Sequence, residues 1–376
     1  MTNETPTVVS LFSGCGGLDL GLERAGFDVI FATDKWNPAA ETYRNNFEDT
    51  RFLETDIRNI NRDRLIGELG TFGYSIEDVD VVAGGPPCKG FSRLNNEQIH
   101  LDEMEKDRRN TLFEEFVRLT KILDPEFVVM ENVRDLMNRE MSDGSLVKDL
   151  IVDEFNEAGY RCRSKVLYSE EYNVPQERRR VFFLATNRDT PIRFPQPTTP
   201  MTPKTVGEVL GSGMDSLSNM TYADTSEEVL EKIREIPQGG YYRDLPERLK
   251  TKEYRCGCDN PETCSHDPEI VKRYGTYLRR LNPSEPSLTV SANLFIHPSE
   301  DRYVTPREMA RLQTFPDDFI FKGSKSDVIE QIGNAVPVRL AEEIGREIQK
   351  KYPQIHERQR VEIQRQEGEA QDVLGY

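Results

Sequence analysis

The chain has 376 residues, with 66 acidic side chains against 49 basic ones and a formal net charge of -17. Its length is ample for a sizeable core in one large domain or two moderate ones, and hydrophobic residues at 36%, grouped in short runs, exclude a disordered chain. No run approaches the roughly 18 apolar residues that cross a bilayer, and the start, MTNETPTVVSLFSG, lacks the basic stretch and apolar core of a signal peptide. Taken alone, the acidity argues against a polyanionic partner. The basic residues are 34 Arg and 15 Lys; an excess of acid with few lysines suits a protein hydrated in concentrated salt, so a halophilic source is expected. Of six cysteines, three are scattered and three crowd into nine residues, which suits reduced thiols in a cytoplasmic protein better than a secreted disulfide framework.

The first predicted strand, Val8–Phe12, runs into Ser13-Gly14-Cys15-Gly16-Gly17 and a helix at Leu18–Ala25. Glycines at such a turn let a ligand approach the backbone, and the helix N-terminus favours negative charge. A plain strand–helix turn would carry the same residues. A second strand, Val29–Thr33, ends at Asp34, where an acid can accept bonds from ribose hydroxyls. A helix at Ala39–Phe47 leads to a third strand-like segment and Thr55-Asp56-Ile57. The loop is not G-x-G-x-x-G, which points away from a dinucleotide and toward another adenosine ligand.

The strand Val79–Ala83 enters Gly84-Gly85-Pro86-Pro87-Cys88. Prolines stiffen this loop, and a stiff loop at a strand's carboxyl end can present a reactive group. The neighbours of Cys88 are Gly, Pro, Lys89 and Gly90 rather than a packing stripe, so Cys88 is read as a nucleophile. After a helix at Thr111–Leu123, the strand Phe127–Met130 ends in Glu131-Asn132. A carboxyl group there can act as a general acid if burial raises its pKa. A helix at Ser145–Ala158 and strands at Lys165–Tyr168 and Val181–Ala185 follow, with Gln176-Glu177-Arg178-Arg179-Arg180 just before the last. Arg178 and Arg180 share one side of an extended segment; a solvated charge run is the alternative. Short apolar strands alternating with helices imply a doubly wound, mostly parallel α/β sheet with its ligand beyond the strands' carboxyl ends.

Thr190–Pro203 holds five prolines in fourteen residues and reads as a connector. Thr205–Arg302 has weak periodicity and looks like a smaller, irregular domain. Within it Cys256, Cys258, Cys264 and His266 form C-x-C-x5-C-x-H, which suits a tetrahedral structural zinc or else reduced loop thiols beside an exposed His. Val271–Leu281 carries Lys272, Arg273, Arg279 and Arg280 with Tyr274 and Tyr277 and no acid. This reversal of sign suits DNA phosphates, with a solvated helix face as the alternative. Helical patterning returns at Pro306–Phe315 and at Arg339–Lys351, where Leu340, Ile344 and Ile348 share a face.

In this order the motifs resemble the DNA (cytosine-5) methyltransferase family of the restriction-modification type, over about residues 8–350. The carriers are LFSGCGG, GGPPCKGFS, ENV, QERRR, REMARLQTFP (Arg307–Pro316) and QIGNAVP (Gln331–Pro337). The resemblance implies a Rossmann-like S-adenosylmethionine-dependent domain in residues 1–190 and 303–355, a target recognition domain in 191–302 and a polar tail in 356–376. It implies that Cys88 adds to C6 of a cytosine flipped out of duplex DNA. Protonated Glu131 would engage N3 and the exocyclic amine, and Arg180 with Arg178 would contact O2 and the catalytic loop. S-adenosyl-L-methionine would supply the methyl group for C5. Phe12 would pack on its adenine, Gly14, Gly16 and Gly17 would line the methionine end, Asp34 would hold the ribose and Asp56 the adenine amine. Trp36, Ile57, Pro86, Asn334 and Ala335 would complete the cofactor site. Lys89, Ser92, Gln176, Lys272, Arg273, Tyr274, Arg279, Arg280 and Thr289 would meet DNA.

The chain departs from the family pattern at Asp34, usually Glu, at Lys35, usually large and apolar, and at Lys89, usually Gln. An RNA cytosine-5 methyltransferase on the same scaffold is the alternative, although Gly90-Phe91-Ser92 in place of Pro-Phe-Thr favours DNA. A catalytically inactive DNA-binding relative is the third reading, and intact Cys88, Glu131, Arg178 and Arg180 argue against it. The expected partners are double-stranded DNA and, in a restriction system, a cognate endonuclease. No membrane partner is expected, and monomer is the default state.

Overall fold

The structure, a computed structural model, describes residues 5–87, 112–141, 144–189, 192–199, 201–211, 217–250, 278–291 and 294–352. Seven strands form one sheet: β1 (Thr7–Leu11), β2 (Asp28–Asp34), β3 (Arg51–Glu54), β4 (Val81–Gly84), β5 (Phe127–Val133), β6 (Arg161–Tyr168) and β8 (Arg179–Thr186). A two-residue strand, β7 (Gln176–Glu177), lies outside it. The order is β3-β2-β1-β4-β5-β8-β6. Strands β1 to β5 pair in parallel, and β8 runs antiparallel to both β5 and β6. The sheet is therefore mostly parallel, as its apolar strand runs predict.

Central strands β1 and β4 are buried along almost their whole length, which is why they read as unbroken apolar runs. Edge strand β6 instead keeps Arg161, Arg163 and Lys165 exposed, and such charges on an edge discourage pairing with another chain. Strand β3 is four residues long, with two apolar residues between Arg51 and Glu54, too short to give a clear alternation.

Helices α1 (Gly17–Arg24), α2 (Asn37–Asn46), α3 (Arg62–Gly70), α4 (Leu112–Leu123) and α5 (Val147–Glu157) connect these strands. Phe113, Phe116, Val117 and Leu123 of α4 join the sheet's Val82, Val128 and Met130 in one core. The strand order reverses between β1 and β4, and this switch point places a ligand cleft beyond their carboxyl ends.

The chain divides into two compact units. The first holds everything up to Tyr168, then Arg179–Pro197, and the chain from Val336 onward. That last stretch contains α10 (Val338–Gln349), whose Leu340, Ile344 and Ile348 are buried as their spacing predicts. Helix α10 packs on α1.

The second unit holds Ser169–Arg178 and Thr198–Ala335. It contains the short helix α6 (Val206–Val209), then α7 (Glu227–Glu235), α8 (Pro306–Leu312) and α9 (Lys325–Asn334), and a parallel pair of β7 with β9 (Ser287–Leu288). Ile233, Ile236, Tyr242, Leu245, Leu278 and Ile296 form a small core. Arg307, at the start of α8, is fully buried, and its guanidinium donates to Ser218, Asn219, Pro316 and Phe319. Guanidinium forks of this kind fasten irregular backbone that has no ladder to satisfy its carbonyls.

Candidate active site

The carboxyl ends of β1, β2 and β3 open onto a pocket. Phe12, Asp34, Lys35, Asp56 and Ile57 line it, with Thr33, Thr55, Pro87 and Leu112. Phe12 holds a left-handed backbone with φ 55°, a costly conformation for a non-glycine residue and one that clusters at ligand sites. Gly16 has φ 90°, and a Cβ there would lie 2.4 Å from the ring of Phe47. Only glycine fits that turn.

Asp34 ties two loops together. Its carboxylate accepts from Gly14 N at 3.0 Å and from Trp36 N at 2.9 Å. Burial pushes the Asp34 carboxyl above the usual range, while the bonds from Trp36 and Gly14 oppose that rise. Asp56 caps the single turn Ile57–Asn59 and accepts a fork from Arg58 at 2.8 and 2.6 Å. The fork holds its carboxyl well below the usual range. An aromatic face, an apolar wall and two acids fit an adenine and a ribose.

Beneath the glycine loop, Ser10 on β1 donates to the fully buried Asp19 on α1 at 2.7 Å. Burial pushes Asp19 up to about 6. Burial also pushes the thiols of Cys15 and Cys162 up to about 12, so neither is a thiolate near neutral pH.

The second cluster stands at the ends of β4 and β5. Glu131 is buried, and Arg180 Nε donates to its Oε1 at 3.0 Å. Val133 faces Arg180 across the β5–β8 ladder, which sets the pair's geometry. Burial lowers the Arg180 pKa, and the neighbouring Glu131 and Asp135 act against that shift. The Gly85 backbone lies so close that a Cβ would sit 3.0 Å from Glu131 Oε2. Asn132 Nδ2 donates to the Pro86 carbonyl at 3.0 Å. Gly84 faces Leu11 across the β1–β4 ladder, and a Cβ on it would fall 1.9 Å from the Leu11 carbonyl oxygen, so any side chain would push these strands apart.

Three comparisons with known proteins bear on this geometry. The family model for C-5 cytosine-specific DNA methylase matches residues 6–350. The chain belongs to the C-5 cytosine-specific DNA methylase family. It is 35% identical to Type II methyltransferase M1.HphI of Haemophilus parahaemolyticus, over 92% of this methylase and 87% of the relative. It is 31% identical to Type II methyltransferase M.DdeI of Desulfomicrobium norvegicum, over 91% and 88% of the two chains. Among solved structures, a prophage-encoded E. coli protein superposes with a TM-score of 0.65 at 25% identity, covering 92% of this methylase and 99% of that chain. The methylase is thus an enzyme that methylates cytosine C5 in DNA, and its family's reaction uses S-adenosyl-L-methionine.

Of the residues expected at the methylase's cofactor site, the pocket gathers Phe12, Asp34, Asp56 and Ile57. Gly14 and Trp36 act through their backbone N–H groups on Asp34. Gly16 and Gly17 form the turn into α1, and Pro86 leads to the lining residue Pro87. Asn334 ends α9 and Ala335 caps it, both in the second unit. Lys35 lines the pocket although the expected cofactor set omits it; its place directly after the acid at a strand's end was the available signal.

The residues of the QERRR segment make different contacts. Gln176 is fully buried and does not face solvent. Its amide donates to Gln313 Oε1 at 2.9 Å and accepts from Val290 N at 2.8 Å. Arg178 is buried as well and donates to the carbonyls of Val290 at 3.0 Å and Gly333 at 2.9 Å. Both therefore fasten the second unit's own backbone, while Arg180 meets Glu131. Thr289 donates to the Glu177 carbonyl at 2.7 Å, so the same segment also holds Thr289.

Arg280 is engaged within the second unit. It is buried, and its guanidinium donates to the carbonyls of Ile233, Ile236, His297 and Glu300 and to Asp301. It braces the small core. Arg279 stacks over the Tyr241 ring at 5.4 Å. Cys88, Lys89, Ser92, Lys272, Arg273, Tyr274 and the set Cys256, Cys258, Cys264 and His266 lie outside the described residues. Among the described residues, no group of three or more His, Cys, Asp or Glu could hold a metal ion, and no helix is long and apolar enough to cross a membrane.

Proposed function

We propose that the enzyme acts on a flipped-out cytosine of duplex DNA through a covalent adduct with Cys88. One observation carries this reading: the Gly85–Pro87 segment serves both clusters. Pro87 lines the pocket and Gly85 lies against the Glu131 carboxylate, and Cys88 is the next residue in the chain.

S-adenosyl-L-methionine, when bound, supplies an electrophilic methyl group. Phe12 and Ile57 would hold its adenine, Asp34 its ribose and Asp56 its amine, with Gly14, Gly16 and Gly17 at the methionine end. Cytosine C5 is a poor nucleophile until a thiolate adds at C6. The Cys88 sulfur forms the S–C6 bond, and the displaced ring electrons make C5 carbanion-like. Glu131 gives its proton to N3 as charge develops there. Donation leaves a carboxylate already paired with Arg180, which stabilises the product of that transfer. After methylation the C5 proton leaves to a base, the S–C6 bond breaks, Cys88 returns as a thiolate and the N3 proton returns to the Glu131 carboxylate.

The test is incubation with methyl-labelled cofactor and double-stranded DNA, followed by base-resolution mapping. Label at cytosine C5 within a short fixed sequence is expected. Methyl on N4, on adenine or on RNA alone would overturn the reading. The Type II names of the relatives support a place in a restriction-modification system beside a cognate endonuclease, with a solitary host-marking enzyme as the alternative.

We further propose that residues 191–302 hold the target recognition domain and that Cys256, Cys258, Cys264 and His266 bind one structural zinc within it. The support is the ligand spacing. Metal analysis should find one zinc per chain in the purified protein and none in Cys258→Ser. Zinc-free wild-type protein that still binds DNA would remove the site.

A further inference from the structure

The pocket's acid Asp56 is already occupied by its own chain. A carboxylate offers about four lone-pair positions. Asp56 Oδ1 accepts from Arg58 N at 3.1 Å and Arg58 Nε at 2.8 Å. Oδ2 accepts from Arg58 Nη2 at 2.6 Å and Lys35 Nζ at 3.4 Å. A ligand amine that reaches Asp56 must displace one of these donors. The Arg58 bonds are short and forked within one turn of chain. The Lys35 bond is the longest of the four, and Lys35 itself lines the pocket.

Lys35 follows Asp34 at the end of β2, and Asp56 lies two residues beyond β3. Asp34 and Glu54 face each other in the parallel ladder, so strand register brings the two together. The Lys35 side chain is 60% exposed and that of Asp56 23%, so mobile ions reach the pair. Arg58 keeps Asp56 ionised well into acid, so ionic strength rather than pH loosens its hold on Lys35.

We propose that Lys35 is an internal competitor for the cofactor's adenine amine, so that salt relieves the competition and strengthens cofactor binding relative to a Lys35-free enzyme. This rests on the reading of the pocket as the adenine site. The lysine stands where the family resemblance leads one to expect an apolar residue, so the competition belongs to this chain. It also gives an acidic protein a cofactor site tuned to an ionic medium.

Calorimetric titration of the full chain with S-adenosyl-L-homocysteine tests this, because that product lacks the sulfonium charge. At 0.1 M salt, Lys35→Met should bind about 2–5-fold more tightly than wild type, the span expected for one exposed ion pair. At 1 M salt, where the screening length falls to about 3 Å, the two should converge. Lys35→Arg should behave as wild type. A Lys35→Met gain that persists at 1 M would indicate apolar packing and overturn the proposal, as would equal or weaker binding at 0.1 M. Asp56→Asn separates the two levels. If it leaves binding unchanged at both salts, the adenine reading itself fails. If it weakens binding while Lys35→Met shows no gain, only the competition fails.

Discussion

Cys88→Ala is expected to lower methyl transfer on the order of 10⁴-fold or more, since loss of a nucleophile that initiates a reaction removes most of the rate enhancement. Affinity for duplex DNA should stay within a few-fold of wild type, because phosphate contacts dominate such binding and the thiol makes none. The approach to Cys88 is independent of its sulfur. Asn132 holds the Pro86 carbonyl, and Gly84 is locked between β1 and β4. Removing one sulfur atom should leave that scaffold standing. A second measurement fixes the assignment. DNA carrying 5-fluorocytosine should form a covalent adduct with wild type, because fluorine cannot leave after addition, and should form none with the mutant. Retained turnover in Cys88→Ala, or an adduct that survives the substitution, would move the nucleophile elsewhere. Cys15 and Cys162 make poor replacements, since burial suppresses both thiolates.

Glu131→Gln should reduce turnover about 10²–10⁴-fold, the usual range for a general acid. The amide keeps an oxygen for Arg180 but has no proton of comparable acidity to give. Alanine is the poorer probe. It would leave the partly buried Arg180 without this carboxylate and would confuse stability with chemistry. The discriminating readout is adduct formation at 5-fluorocytosine, which should slow in parallel with turnover while cofactor binding is unchanged. Normal adduct formation with slow turnover would place Glu131 after the addition step.

Much of this was legible from the chain because its motifs sit at strand ends. Each short apolar run fixes a strand, and each residue after it is delivered to one edge of a parallel sheet. Phe12, Asp34, Asp56 and Glu131 therefore converge without further instruction, and their meeting in two neighbouring clusters follows from strand order. The local reversal of charge at Val271–Leu281 was legible too, but not what its members do. Burial of Arg280 depends on carbonyls supplied by residues as far apart in sequence as Ile233 and Glu300, and no local pattern announces them.

The sequence by itself determined the family and the reaction and named the proposed reactive groups, because those rest on residue type and order. Only the tertiary structure decided how the arginines of QERRR are used. Alternation places Arg178 and Arg180 on one side of a strand only if that strand is continuous. Here it is not. Gln176–Glu177 pairs with β9, Arg178 N bonds back to the Gln176 carbonyl at 3.0 Å, and Arg179–Thr186 pairs with β5 and β6. The chain changes sheet at Arg178, so one arginine fastens the second unit and the other reaches Glu131. Likewise the net charge of -17 came from the sequence, but which of its carboxylates stand free for a ligand did not. Asp56 is held by Arg58 and Lys35 because strand register brings Lys35 beside it, a matter of pairing between β2 and β3 rather than of composition.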